Sequence, residues 1–293
     1  MSLSANRTSS LSMHPLLNVR VVSLAGRLPG PVAVARLCRL GDSAVRVVPP
    51  EGDPLQHACP AWYEELHAGI EIVPLDLKEP TGRARLDELL AASDLLVTDT
   101  RPTGLARLGL SWPELHGRHP NLTQVAIVGH AEPDQDRPGH DLTYQAELGL
   151  LDPPRLPRAL IADWAGAGGV VVAALAAILE RARGLETRLV EVSLAQAAAS
   201  FAEPLRRGLT APKGLLGGAC PGYNLYRARD HWIAVAALEP HFARRLAQAV
   251  GCESLSKEKL TAFFQTRTAS EWEAWGRECD VPLAAIRSIA PEE

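Results

Sequence analysis

Short apolar runs alternate with amphipathic stretches through the first two hundred residues, and that alternation predicts a β-α rhythm. "VRVVSLAG" (19–26) is short, apolar and ended by Gly26, the pattern of a buried strand. "GPVAVARLCRLG" (30–41) follows as a helix, with Pro31 in its first turn and Gly41 as its stop. "SAVRVVPP" (43–50) is the next strand, ended by Pro49 and Pro50. A β-α-β unit of this kind implies parallel strands and a right-handed crossover. The rhythm continues with an amphipathic helix over 81–93, a strand entering a loop at "DLLVTDTRP" (94–102), and a short helix over 111–120 with Ser111 as its cap. It goes on with a strand over 122–129, a long apolar helix over 164–180, and a strand and small-residue helix in "TRLVEVSLAQAAASFA" (187–202).

Beyond residue 203 the pattern changes. "PLRRGLTAPKGLLGGACPG" (204–222) is rich in Gly, Pro and basic residues and reads as a linker. "YNLYRARDHWIAVAAL" (223–238) reads as an antiparallel pair with Asp230 near the turn, and helices are predicted over 241–250, 256–266 and 269–278. The expected organisation is a disordered tail (1–17), a large α/β domain (18–203), the linker (204–222) and a small α+β domain (223–293). In an open parallel sheet ligands lie at the carboxyl ends of the strands, which directs attention to the loops after residues 25, 48, 98 and 129.

Composition narrows the function. The 293 residues are 46% hydrophobic and 22% charged with a formal net charge of −4, the profile of a globular protein rather than a general nucleic-acid binder. The five cysteines are odd in number and form no CxxC pair, so they are expected to be free thiols in a reducing cytoplasm, with no metal site. "MSLSANRTSSLSMHP" lacks the apolar core of a signal peptide. The apolar run after Asp163 is short for a membrane span and is broken by Gly166, Gly168 and Gly169, so a buried helix is expected. The turn "AGRLPGP" (25–31) carries neither a GxGxxG fingerprint nor a P-loop, and a nicotinamide or nucleoside triphosphate site is not supported.

Three acid or base residues stand in settings that suggest chemistry. Asp163 precedes a charge-free run that lasts until Glu180, where it serves either as a helix N-cap or as a catalytic carboxylate at the positive end of a helix. His140 follows a Pro-Gly turn in "RPGHDLTYQA", and Glu239 ends an apolar strand just before Pro240. Each has a plainer reading: a loop histidine bonded to backbone for His140, and an ordinary helix cap for Glu239. Asp141 reads as a cap of a helix starting at Leu142, with Gln145 as its partner.

Taken together, "LPGPVAVARLCRLGDSAVRVVPPEGDP", "LDLKEPTGRARLDELLAASDLLVTDTRP", "GLARLGLSWPELHGRHPNLTQVAIVGHA", "RPGHDLTYQAELGLL", "ADWAGAGG" and "VEVSLAQAA" resemble, in order, the family III CoA-transferases (CaiB/BaiF), the group that includes the 2-methylacyl-CoA racemases. The resemblance spans residues 18–290. It implies a doubly wound, Rossmann-like large domain with a small domain attached, and two chains interlocked as a homodimer. It implies an acyl-CoA substrate, with no cofactor beyond that CoA thioester and no nucleic-acid or membrane partner. In the transferases the carboxylate matching Asp163 attacks an acyl-CoA, forming an anhydride and then an aspartyl-CoA thioester. In the racemases a histidine paired with a glutamate, and an aspartate opposite, exchange the proton at C2; the matching residues are His140, Glu239 and Asp163. Arg46, Arg101 and Lys78 match positions that face the CoA nucleotide.

The chain also departs from the family pattern. "YEELHAGIEIVPLDLK" has no basic residue between Tyr63 and Lys78, where the family carries a CoA-phosphate contact. "RARGLETRLVEV" replaces a more glycine-rich turn, and the sequence stops at "VPLAAIRSIAPEE", short of a segment that in the family returns to the large domain. Three readings remain open: a 2-methylacyl-CoA racemase using His140, Asp163 and Glu239; a CoA-transferase centred on Asp163, with "GLLGGACPG" as a weak glycine loop; and a non-catalytic or partner-dependent member whose partner chain supplies the C-terminal segment.

Overall fold

A computed structural model describes residues 16, 18–41, 43–186 and 188–287. The chain divides into two compact units, Met1–Ala202 and Glu203–Glu293.

The first unit is built on six strands: β1 (Arg20–Ser23), β2 (Ser43–Val48), β3 (Glu71–Pro74), β4 (Leu95–Thr98), β5 (Thr123–Val128) and β6 (Leu189–Ser193). All pair in parallel, in the order β3-β2-β1-β4-β5-β6. The helices between them are α1 (Pro29–Cys38), α2 (Pro54–Ala58), α3 (Pro60–Leu66), α4 (Pro80–Ala91), α5 (Pro102–Arg107), α6 (Trp112–Arg118), α7 (Asp141–Glu147) and α8 (Ile161–Ala182); α9 (Leu194–Arg206) follows β6. Because successive strand residues face opposite sides, the sheet serves two cores. Val21, Val97 and Val125 pack with α1 and α8, whereas Val22, Leu96 and Val47 pack with Leu86 and Leu90 of α4, Leu105 of α5 and Leu115 of α6. The sheet is doubly wound, as the sequence predicts.

Helix α8 is long and apolar enough to cross a membrane by length and composition alone. Its small residues Ala162, Gly166, Ala167, Val170, Ala174 and Ala177 are buried, against α1, β5 and β6. Glycine is required at the tightest point: a Cβ on Gly166 would lie 2.2 Å from Cδ2 of Leu194, the first residue of α9. The opposite side of α8 leaves Trp164, Val172 and Leu179 exposed.

Several elements differ from the sequence reading. Strand β3 was not foreseen: it is an edge strand, mostly exposed and ending in Pro74, so it lacks the apolar run that marks a buried strand. Pro54 and Pro60 look like breakers but occupy first-turn positions of α2 and α3, where a missing N–H costs nothing. The expected 1–17 tail lies, apart from Leu16, outside the described residues. Leu16 itself is a core residue, 2% exposed, whose N–H donates to the Leu40 carbonyl at 3.0 Å.

The second unit has its own core. An antiparallel sheet runs β7 (Tyr223–Arg227), β8 (Trp232–Ala236) and β9 (Leu283–Ala285), with β8 central. Helices α10 (Pro240–Val250), α11 (Lys257–Phe264) and α12 (Ala269–Glu278) contribute Leu246, Leu260, Phe264 and Trp272 to its interior. Asp230 lies in the β7–β8 turn and accepts from the Ala269 N–H at 2.8 Å, tying the hairpin to the start of α12. The 204–222 stretch holds the last turn of α9 and a π-helical turn over Leu215–Ala219.

Substituting Gly166→Val should destabilise the protein by about 1–3 kcal/mol, because the added branches meet Leu194 in a closed packing site. A urea titration of both proteins measures it.

Candidate active site

The strand order reverses between β1 and β4, so the loops leaving their carboxyl ends diverge and open the sheet edge. A cleft of about 200 Å³ sits there. Its walls come from the loops after β1, β4 and β5 and from the starts of α7 and α8; they include Arg27, Arg101, Gly129, His140 and Asp163. The sequence brought suspicion to three of these loops, and here they converge.

His140 is the N-cap residue of α7, with extended backbone (φ −142°, ψ 168°). Its carbonyl accepts from the Thr143 N–H at 2.8 Å, so the main chain is anchored while the imidazole stands exposed at the cleft. Tyr144, one turn on, is a buried part of the cleft wall: a Cβ on Gly129 would come within 2.4 Å of its hydroxyl, and one on Gly139 within 2.5 Å of its ring.

Asp163 is not the N-cap of α8. The helix starts at Ile161, and Asp163 lies in its first turn. The capping oxygen comes from another helix: Oδ1 of buried Asp141 accepts from the N–H groups of Ala162 at 2.7 Å and Asp163 at 3.2 Å. Asp141 is also the first residue of α7 rather than its cap, and Gln145 Nε2 donates to its Oδ2. Relieved of the cap, the Asp163 carboxyl has no hydrogen bond among the described residues and faces the cleft. Burial, and secondarily the Asp141 charge, push it up to about 6.

The cleft mouth is cationic. Arg27, Arg101 and Arg137 line it, and Arg137 is paired with Glu147. The Arg27 N–H donates to Asp99 Oδ2 at 2.6 Å and its Nη1 to the Asp99 carbonyl at 2.7 Å, which binds the loop after β1 to the loop after β4. Burial raises the Asp99 carboxyl, against the opposing pull of the Arg27 N–H and guanidinium. The arrangement combines a carboxyl pushed up to about 6, an imidazole and three arginines in one recess. It suits proton transfer or carboxylate attack on an anionic thioester. Sequence reasoning missed Arg27 and Arg137, although each flanks a Gly-Pro or Pro-Gly turn already singled out.

Lys78 occupies a second cleft of about 220 Å³ on the other side of the strand reversal, walled by Leu24, Val48, Pro50 and Leu105. Thr100 lines this cleft while its neighbours Asp99 and Arg101 line the first, so one loop forms a wall of both. Arg46, expected at a nucleotide, lies instead in a buried ion pair. Its Nη2 is 3.0 Å from Asp53 Oδ2, the side chain is 3% exposed, and it lines neither cleft. Asp53 also caps α2 through the Leu55 N–H at 2.8 Å. Glu239 is the N-cap residue of α10 in the second unit; it is exposed, makes no side-chain capping bond and is not among the residues lining the first cleft.

Residues 16–291 match CoA-transferase family III. Human alpha-methylacyl-CoA racemase is 29% identical over 291 residues, covering 88% of this chain and 74% of that protein. Succinyl-CoA–D-citramalate CoA-transferase of Chloroflexus aurantiacus is 27% identical over 279 residues, covering 87% and 69%. The crystal structure of the hypothetical protein Rv3272 from Mycobacterium tuberculosis shares the fold, with a TM-score of 0.80 at 22% identity over 94% of this chain and 84% of that one.

Two stability predictions follow from the buried charges. Removing Asp53 leaves Arg46 buried without its partner, so Asp53→Ala should cost about 3–5 kcal/mol in a denaturant titration. Asp163 behaves oppositely. With a folded value near 6 above an unfolded value of 3.8, its ionised form is penalised only in the folded state, fully above pH 6 and not at all well below 3.8. Asp163→Asn should raise Tm by about 2–4 °C at pH 8, and calorimetry should show the gain disappearing as the pH falls through 6 towards 4.

Proposed function

Because the chain belongs to CoA-transferase family III, a family of acyl-CoA enzymes, we propose that it epimerises a 2-methylacyl-CoA at C2 by proton abstraction and return. What supports this reading is that one cleft is lined by both His140 and the hydrogen-bond-free Asp163 carboxyl, which burial pushes up to about 6. An α-proton next to a thioester is weakly acidic, and an unperturbed aspartate is too weak a base to remove it efficiently near neutral pH. One of the pair takes the proton as the C2–H bond breaks, and the electron pair passes into the thioester as an enolate. The other returns a proton to the opposite face. The family resemblance alone assigns Glu239 a part in the proton exchange. Arg101 and Arg27 serve the anionic thioester ligand at the cleft mouth, and Lys78 serves the nucleotide in the second cleft.

A CoA-transferase reaction is the second reading, favoured by the same unbonded carboxyl and by the citramalate CoA-transferase relative. Here Asp163 attacks the thioester carbonyl, the C–S bond breaks, and CoA leaves as thiolate before returning to the resulting anhydride. We further propose that a second copy of the chain covers the exposed side of α8, where Trp164, Val172 and Leu179 recur about every two turns. A non-catalytic or partner-dependent member is the remaining alternative. The proposed setting is the cytoplasm.

The deciding experiment incubates the protein with a (2R)-2-methylacyl-CoA in deuterated water and follows deuterium at C2 by mass spectrometry and NMR. Epimerisation predicts exchange that falls at least ~100-fold in Asp163→Ala and in His140→Ala. CoA binding without exchange, together with a trapped thioester on Asp163 after addition of acid acceptors, establishes the transferase instead. Failure to bind CoA directs attention to a partner chain.

A further inference from the structure

The start of α8 poses a problem that its own sequence does not solve. A helix leaves its first N–H groups without intrahelical acceptors, and the residue at the capping position, Leu160, has no side-chain oxygen. Two of those N–H groups belong to Ala162 and Asp163, and both are bonded to Asp141 Oδ1. Asp141 is itself pinned: it is 5% exposed, and its other oxygen receives Gln145 Nε2. Gln145 is 1% exposed and also donates to the Ala159 carbonyl at 3.0 Å, just ahead of α8. The pair therefore ties α7 to the approach and first turn of α8 at three points.

We propose that Asp141 and Gln145 are positioning residues for Asp163, capping α8 from outside so that the reacting carboxyl is held at the cleft without itself serving as the cap. His140 immediately precedes Asp141, so the same clamp sets the separation between His140 and Asp163. This rests on the reading of Asp163 as the reacting carboxyl. The charge of Asp141 acts on Asp163 as well as its hydrogen bonds. Other titratable or charged groups facing the site are His140 and Tyr144 from α7 and Arg27 ahead of α1. Asp99 and Arg101 face it from beyond β4, and Arg137 from the loop before α7. On α1, Arg36 lies over the ring of Trp164 at 4.9 Å. Among these, Asp141 is the charged group that raises the Asp163 carboxyl in addition to burial.

The clamp is tested without substrate by following the Asp163 carboxyl by ¹³C NMR against pH, assigned with Asp163→Asn. Wild-type protein should titrate near 6. Asp141→Asn keeps an oxygen for the two N–H bonds and removes the charge, so the midpoint should fall by about one pH unit. Asp152→Asn, which removes an exposed carboxylate from the α7–α8 loop, should leave it unchanged. An unchanged midpoint in Asp141→Asn means that the clamp does not hold the two carboxyls side by side, and overturns the proposal. In the C2 exchange assay, Asp141→Ala should lower kcat by about 100-fold while the Kd for the CoA thioester changes by less than about twofold. Exchange at the wild-type rate also overturns it. If Asp141→Ala does not fold, Asp141→Asn decides. If wild-type protein shows no exchange, the epimerase reading fails while the NMR titration still decides the clamp.

Discussion

Where β1 and β4 lie side by side, the chain leaves in one direction toward α1 and in the other toward α5, and among the described residues no crossover joins the two strands directly. Everything chemical in the first unit depends on that gap. A parallel sheet needs crossovers, the crossovers must cover both faces, and the reversal of strand order leaves a crevice lined by loops and helix starts. The two clefts open on either side of this reversal and share the loop that carries Asp99, Thr100 and Arg101. The Arg27–Asp99 bonds hold the two diverging loops together at the gap, so the recess keeps its shape although no strand or helix closes it.

Within the recess, competing effects decide the state of Asp163. A helix N-terminus favours a carboxylate by about 0.3–1 kcal/mol. One pH unit corresponds to about 1.4 kcal/mol, so the terminus alone lowers a carboxyl by less than one unit. Burial and the neighbouring Asp141 oppose it and win, leaving the group near 6. The same arrangement makes the residue costly to the fold above that pH, which is the usual relation between a poised functional group and stability. Asp141 thus contributes twice: its oxygen satisfies the helix that carries Asp163, and its charge disfavours ionisation of the carboxyl beside it.

Legibility followed burial and locality. β1, β2, β4 and β5 announce themselves because central parallel strands are apolar on both faces, as Val21 and Val22 show by entering different cores. β3 does not, because an edge strand needs no such run. Ser111 and its Glu114 partner form the α6 cap read from the sequence, a local device within four residues. The cap of α8 defeated the same reasoning because its acceptor, Asp141, lies 22 residues before Asp163. The family resemblance puts Arg46 at the CoA nucleotide, and only the fold revealed its buried pairing with Asp53.

The sequence by itself determined the β-α rhythm, the change of style after residue 203, the family resemblance, and the residues on which the proposed chemistry turns, His140 and Asp163 among them. Those follow from periodicity and from local motifs, which are short-range properties of a chain. Only the tertiary structure decided that His140, Asp163 and Arg101 share a cleft while Lys78 lies in another. It also decided that Arg46 is paired and buried, and that Asp163 is relieved of capping by a residue on a different helix. These depend on which elements the packing of two cores brings together, and hydrogen bonds, desolvation and charge act between neighbours in space rather than in sequence.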